Sequence, residues 1–318
     1  MKKLIILFLL SLNTGNIYAA SCCGGSGGGS VTIPKFMPQV AKVGLSQETY
    51  DGFWNQKGEV LADPTGSNLT QTRFEFAYAK RLTPNLQANL SASWVKNDNV
   101  YSGVQSHTQG LGDTKLGLLY ENFDNITCVN EITRPEDWQP ANYYGLNLTL
   151  PTGLSPYDDV DSSFDITGRG FYALEATALV EKTVYPYTVS LNGGYTLYKA
   201  RMINQETGNY VTPYKKQLGD RFSIGLTLSY TWFLDSLDQA TLNLSQSKFS
   251  EDAAKINGAT DPDTDLAKQS QGLSLGYATM DQSWVVTLGL NAALKQTGAG
   301  KNFPITNTTS LGLTHVFH

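Results

Sequence analysis

The chain has 318 residues, a formal net charge of −5 at pH 7 and only 16% charged residues, against 41% hydrophobic ones. The acidic balance without a basic cluster argues against a nucleic-acid partner. Beyond the N-terminus no run reaches the eighteen or so apolar residues of a membrane-crossing helix, and a mean hydropathy of −0.24 is that of an ordinary soluble chain.

Residues 1–21 read as a secretory signal peptide: Lys2 and Lys3, an apolar run from Leu4 to Leu12, then a small-residue exit. A membrane anchor would need a longer run, and Asn13 to Asn16 end this one. The short Lys-Lys start suits a bacterial protein. "AASCCGG" resembles a relaxed lipobox in which Cys22 is acylated, with Ala19 where Leu is usual. The other reading is ordinary cleavage after Ala19. Residues 22–39 follow as a Gly/Ser-rich periplasmic segment in which "GGSGGGS" is a flexible tether. The sequence leaves open whether residues 24–39 hang free or plug a pore.

From residue 40 to 318 a two-residue period recurs. "RFEFAYAKRL" (73–82) sets Phe74, Phe76 and Tyr78 against Arg73, Glu75 and Arg81. "LQANLSASW" (86–94) sets Leu86, Leu90 and Trp94 against Gln87, Asn89, Ser91 and Ser93. "RFSIGLTLSYTW" (221–232) and "SWVVTLGLNAAL" (283–294) repeat the pattern. A soluble sandwich alternates too, but these runs are about ten to fourteen residues long, enough to cross a bilayer at a tilt. Trp94, Tyr120, Tyr187, Trp232, Trp284 and Phe317 gather at the ends of the apolar faces, as in an aromatic girdle.

The stretch "RGFYALEATALVEKTVYP" (169–186) has helix-forming composition. A lone helix there would leave its neighbours with unpaired edges in lipid. It is predicted as a strand with Tyr172 to Val180 toward lipid, Glu175 and Glu181 toward the lumen, and Lys182 at the headgroup boundary. Short connections alternate with long polar ones near 55–67, 96–110, 151–168, 200–219, 250–270 and 296–304, except that 124–141 is long where a short turn is expected. That segment is either a periplasmic cap or a slip in register. The expected fold class is all-β: a transmembrane antiparallel up-and-down barrel of about twelve strands in a bacterial outer membrane, with Phe317 near the chain end and His318 after it.

"GLGDTKLGLLY" (110–120), "LPTG" (150–153) and "GRGFYALEATALVEKTVYPYTVSLNGGYTL" (168–197) resemble the meta-pathway phenol-degradation family of outer-membrane barrels. The resemblance covers about 110–200 and implies passage of aromatic or other small hydrophobic compounds.

The predicted lumen face carries Arg73, Glu75, Arg81, Asp113, Lys115, Glu121, Glu175, Glu181, Arg221 and Lys295. Mixed charge there makes either a polar constriction that selects solutes or an ion-paired filling. Mid-strand glycines 117, 145, 225, 276, 289 and 312 also face inward, and are expected to let strands bend at barrel corners. In an oxidising periplasm, Cys22 is a candidate for acylation and Cys23 for a bridge to Cys128. A Cys22–Cys23 or Cys22–Cys128 bond without lipid is the alternative. Three cysteines at such spacing match no zinc site. "DPDTD" (261–265) lacks the Gly and Glu of a calcium loop, so no metal and no cofactor are expected. "SHTQG" (106–110) resembles the His-x-Ser-x-Gly of an outer-membrane phospholipase, but Gln109 stands where Ser is needed, and no catalytic residues are assigned. Expected partners are outer-membrane lipid, lipopolysaccharide and a small-molecule solute. Asp158, Asp159, Asp161 and Asp165 either bridge cations to lipopolysaccharide or form a solvated loop.

Overall fold

A computed structural model describes residues 31–35, 37–122 and 128–318. They form a closed antiparallel barrel of 12 strands. In chain order these are β1 (Gln39–Trp54), β2 (Asn68–Thr83), β3 (Leu86–Tyr101), β4 (Thr114–Asn122), β5 (Ala141–Leu150) and β6 (Ala173–Val184). Then come β7 (Tyr187–Tyr198), β8 (Arg221–Phe233), β9 (Gln239–Glu251), β10 (Leu266–Ala278), β11 (Trp284–Ala293) and β12 (Phe303–Phe317). Each pairs with its neighbours in sequence, and β12 closes on β1 from Gln39 opposite Phe317 to Trp54 opposite Phe303. Closure satisfies every edge, which lipid demands because it offers a backbone N–H or C=O no partner.

The alternation determines which face meets lipid. Along β2, Phe74, Phe76 and Tyr78 are exposed on the outer wall, while Ala79 is buried and Glu75 half-buried inside. On β8, Phe222 to Tyr230 at even positions are exposed, and Thr227 and Ser229 between them are buried. Such a surface would be insoluble in water, and its exposed apolar belt belongs in a bilayer. The helix-like stretch is β6. Leu174 and Val180 are exposed, Glu181 is buried, and the strand pairs with β5 and β7 along nearly its whole length. Tertiary pairing overrides its helical composition. Near the periplasmic end, Tyr187, Tyr230 and Trp232 stack edge-on and tilted at 5.2 and 5.9 Å between ring centroids.

Three of the long polar connections differ from expectation. Residues 96–110 are no loop: β3 runs on to Tyr101, turns at Ser102–Gly103, and returns as Val104–Leu111, so one wall stands tall above the membrane. Residues 200–219 form a second hairpin (Arg201–Glu206 with Asn209–Gln217), joined by short strands at Lys255–Ile256 and Ala259–Thr260 in a separate four-stranded sheet. The three turns, Ser102–Gly103, Thr207–Gly208 and Asn257–Gly258, all have positive φ at both central residues. That is the type I′ geometry whose twist suits two-residue hairpins.

The irregular periplasmic segment is described from Cys128. Cys128 and Val129 pair in parallel with Thr183 and Val184 of β6, and Pro135–Trp138 make one 3₁₀ turn. Cys128 is disulfide-bonded. The expected bridge to Cys23, and Cys22 with it, lie outside the described residues. Asp137 organises the turn, accepting from the backbone N–H groups of Thr133 and Arg134, both at 2.9 Å, and from the Thr133 hydroxyl at 3.0 Å. Those donors favour the ionised form and pull its pKa from 3.8 down to about 2. A carboxyl depressed by folding stabilises above its unfolded pKa, and the contribution fades as pH falls from 3.8 to about 2. The amides of Thr133 and Arg134 are therefore expected to lose hydrogen-exchange protection across that window, after correction for intrinsic rates. Asp137→Asn removes the pH dependence.

Candidate functional site

The lumen is built in three levels. At the periplasmic mouth the chain before β1 runs inside the barrel. Val31 and Ile33, 2% and 1% exposed, pack on Val40, Ala79 and Val316 of the inner wall. The Ile33 N–H donates to Gln87 Oε1 at 2.9 Å. Arg81 reaches the carbonyls of Ile33, Pro34 and Met37 at 3.3, 3.1 and 3.0 Å, and its guanidinium pairs with Glu121 at 3.5 Å. Two of the lumen candidates, Arg81 and Glu121, thus hold the N-terminal segment. Glu181 is buried near the same end of β6.

At the outer level the connection from β5 to β6 folds inward. Asp113 accepts from the backbone N–H of Gly153 at 3.2 Å and of Arg169 at 2.8 Å, and Thr152 donates to the Gly112 carbonyl at 2.6 Å. Gly168 leaves no room for a side chain, since a Cβ there would collide with the Asp113 carboxylate and the Gly153 backbone. The three quoted motifs, Gly-Leu-Gly-Asp, Leu-Pro-Thr-Gly and Gly-Arg-Gly, therefore meet at one point and clamp this loop to the barrel. Asn97 and Asn99 of the tall wall donate to the carbonyls of Ile166 and Phe164 at 3.0 and 3.1 Å. Asp158 and Asp165 are used inside the loop: Asp158 accepts from Ser155, and the buried Asp165 from Ser106, Ser162 and Asn99.

Arg169 then reaches across the lumen. It grips Glu251 with both terminal nitrogens at 2.7 Å and donates to the Tyr198 hydroxyl at 2.6 Å, while Arg221 Nε meets the same carboxylate at 2.9 Å. Glu251 is 3% exposed between the two cations.

Between these levels lie two adjoining cavities of about 470 and 240 Å³. Arg73, Glu75, Asp113, Lys115, Glu175 and Arg221 line the larger, and Lys115, Glu175 and Arg221 line both. Arg73 lies 3.8 Å from Glu48. Lys295 is placed differently: it lies beyond the end of β11, its ammonium 2.7 Å from Asp51, and lines neither cavity. The alternation that assigned it inward ends with the strand at Ala293. Lys42, Tyr50, Arg169 and Tyr198 line the larger cavity without having been picked out from the sequence. Lys42 was legible, since Lys42, Gly44, Ser46 and Glu48 alternate with Val43, Leu45 and Gln47. Arg169 was not, because its position depends on the loop clamp.

Two of the inward glycines make room for their neighbours. A Cβ at Gly117 would strike the side-chain amides of Asn89 and Asn147, and one at Gly225 the amide of Asn192. These positions let neighbouring asparagines lie flat on the inner wall. His107 of "SHTQG" pairs with Asp98 at 2.9 Å on the tall wall above the lumen. Among the described residues no group of His, Cys, Asp or Glu is arranged to hold a metal.

No family model matches the chain, and no curated protein matches it. Among solved structures it is similar to the COG4313 outer membrane channel from Pseudomonas putida F1, with a TM-score of 0.68 at 13% identity over 91% of this chain and 97% of that one. It is also similar to the beta domain of the Bordetella autotransporter BrkA (TM-score 0.51, 10% identity, 88% and 99% covered). The translocator domain of the autotransporter NalP from Neisseria meningitidis gives 0.50 at 12% identity over 88% and 89%. At such identities the likeness is one of fold. With its closed barrel and apolar belt, this chain is an outer-membrane β-barrel of a bacterial cell.

Proposed function

We propose that this barrel lets small solutes cross the outer membrane by passive movement through its lumen. The observation that carries this reading is the pair of adjoining cavities, lined by charged side chains and sharing Lys115, Glu175 and Arg221. A purely structural barrel of this size would be expected to fill that space with packed or fully paired side chains. The likeness to a protein described as an outer membrane channel supports it. The sequence resemblance to the meta-pathway phenol-degradation family supports apolar or aromatic solutes. Residues 1–21 are then the export signal, Cys22 the candidate acylation site, and lipopolysaccharide the surface around the tall outer hairpins.

The second reading is a non-conducting barrel whose outer hairpins bind a partner. It is favoured by the segment at residues 31–35 packed in the periplasmic mouth. Liposome swelling separates the two. Vesicles containing the refolded protein should swell faster than protein-free vesicles in isotonic glycerol and small sugars, with rates falling as solute size rises. Swelling no faster than that of protein-free vesicles for every solute would favour the structural role.

A further inference from the structure

The smaller cavity is bounded by charged, neutral polar and apolar side chains. Its apolar members include Leu119 of β4, Tyr143 of β5, Leu179 of β6 and Phe249 of β9, set among the polar Thr32, Thr177 and Asn192. Leu119 and Tyr143 belong to one buried cluster, with Leu179 packed against it. Each lies two to six residues nearer the periplasmic end of the sheet than the charged rim, as the register shows. That rim, shared with the larger cavity, is Lys115, Glu175 and Arg221.

The rim cations retain binding capacity. Lys115 has no carboxylate within 4.0 Å and no hydrogen-bond partner among the described residues. Arg221 gives only its Nε to Glu251, at 2.9 Å. Its guanidinium lies over the Phe249 ring at 4.6 Å, and its terminal nitrogens donate to nothing among the described residues. Glu175 is the acid that lines the smaller cavity with them, and it accepts from Asn147 at 3.3 Å, while Glu75 and Asp113 line only the larger cavity. An aromatic floor beneath a two-pronged cationic rim is complementary to an apolar body with one negative head.

We infer that the smaller cavity is a binding site for a small monocarboxylate with an apolar body. The ring or short chain lies on Leu119, Tyr143, Leu179 and Phe249, and the carboxylate accepts from Lys115 and the free edge of Arg221. A cation would face both of those charges. A large anion would not fit, because about 240 Å³ lies below the range of about 300–1,000 Å³ usual for drug-sized ligands. Glu175 keeps the binding weak, which suits a conduit whose solute must also leave. The inference rests on the solute-passage reading and names the solute class.

Binding is tested without requiring flux. The refolded full-length chain in detergent micelles is titrated with benzoate and, separately, with benzyl alcohol, following ligand saturation transfer by NMR. Benzoate should bind the more tightly. Lys115→Met should weaken benzoate about tenfold, the value of one charge-assisted contact, and leave benzyl alcohol unchanged. Glu175→Gln should tighten benzoate several-fold, and such a gain cannot arise from a misfolded barrel. Equal binding of the two probes, or benzoate affinity indifferent to both substitutions, overturns the site. Benzoate binding as expected in a protein that gives no liposome swelling would instead overturn the passage reading and leave the site standing.

Discussion

Replacing Val31 and Ile33 together with serine is expected to raise the single-channel conductance of the refolded barrel several-fold and to speed small-sugar entry into liposomes. Both side chains are almost fully buried against Val40, Ala79 and Val316. Burial of an aliphatic side chain of this size is worth about 1.5–3 kcal/mol, so the pair contributes about 3–6 kcal/mol to holding the segment in the mouth. The polar latch is of comparable size. Arg81 bonds three carbonyls of the segment, and hydrogen bonds to a charged group contribute about 1.5–3 kcal/mol each at most, with geometry at 3.0 to 3.3 Å on the weak side. Arg81 also neutralises Glu121, whose side chain is 1% exposed. Removing Arg81 alone would strand that carboxylate and damage the wall. The clean comparison is Arg81→Met with Glu121→Gln, which removes the latch without stranding a charge and should also open the mouth. The serine variants leave every barrel strand intact, so folding, read from the heat-dependent gel shift, should be unchanged. A conductance equal to that of the unmodified chain would show that the segment is not what closes the mouth.

The barrel was legible because lipid makes a strict demand. One face of every spanning strand must be apolar, and a two-residue period with Phe74, Phe76 and Tyr78 on one side leaves little else to read. The same demand rescued β6, whose Ala, Leu and Glu content points locally to helix. Where lipid stops, so does the signal. Lys96 to Tyr101 and Val104 to Leu111 stand above the membrane with polar residues on both faces, so their strand character has no hydrophobic period to reveal it. Only the Ser-Gly, Thr-Gly and Asn-Gly pairs marked the three outer hairpins, and each is a turn signal when flanked by strands.

The site was legible in the same measure. Six of the ten charged positions read as inward line the larger cavity, five of them placed by strand parity and Asp113 by the loop it clamps. Lys295 fails because parity has no meaning past the end of a strand. Arg169 and Glu251 were hidden for another reason. Their meeting depends on a loop folding back through Asp113, Gly153 and Gly168, a tertiary closure across 82 residues that no local period encodes. The motif glycines were visible, but what they do is backbone packing around one aspartate.

That closure supplies the other large effect. Glu251→Ala is expected to destabilise the refolded protein by about 3 kcal/mol, in urea unfolding followed by tryptophan fluorescence. Removing one member of a buried charge group costs about 3–5 kcal/mol, because the remaining charges lose their counter-ion. Arg169 and Arg221 are 33% and 26% exposed at their side chains, and partial hydration places the cost at the lower end of that range. The loss should be local as well as global. Without Glu251, the Arg169 guanidinium has only the Tyr198 hydroxyl and ring among the described residues to hold it, and the inward connection between β5 and β6 should loosen. Trypsin added to intact cells or vesicles should then cut after Arg169, a bond protected in the unmodified chain. The triple change Arg169→Met, Arg221→Met and Glu251→Leu separates charge from shape. It removes all three ions together and keeps most of the volume, so stability should return to within about 1 kcal/mol of the parent. If Glu251→Ala alone left both the unfolding midpoint and the trypsin pattern unchanged, the two arginines would be indifferent to their shared carboxylate, and the loop would owe its inward position to the Asp113 clamp alone.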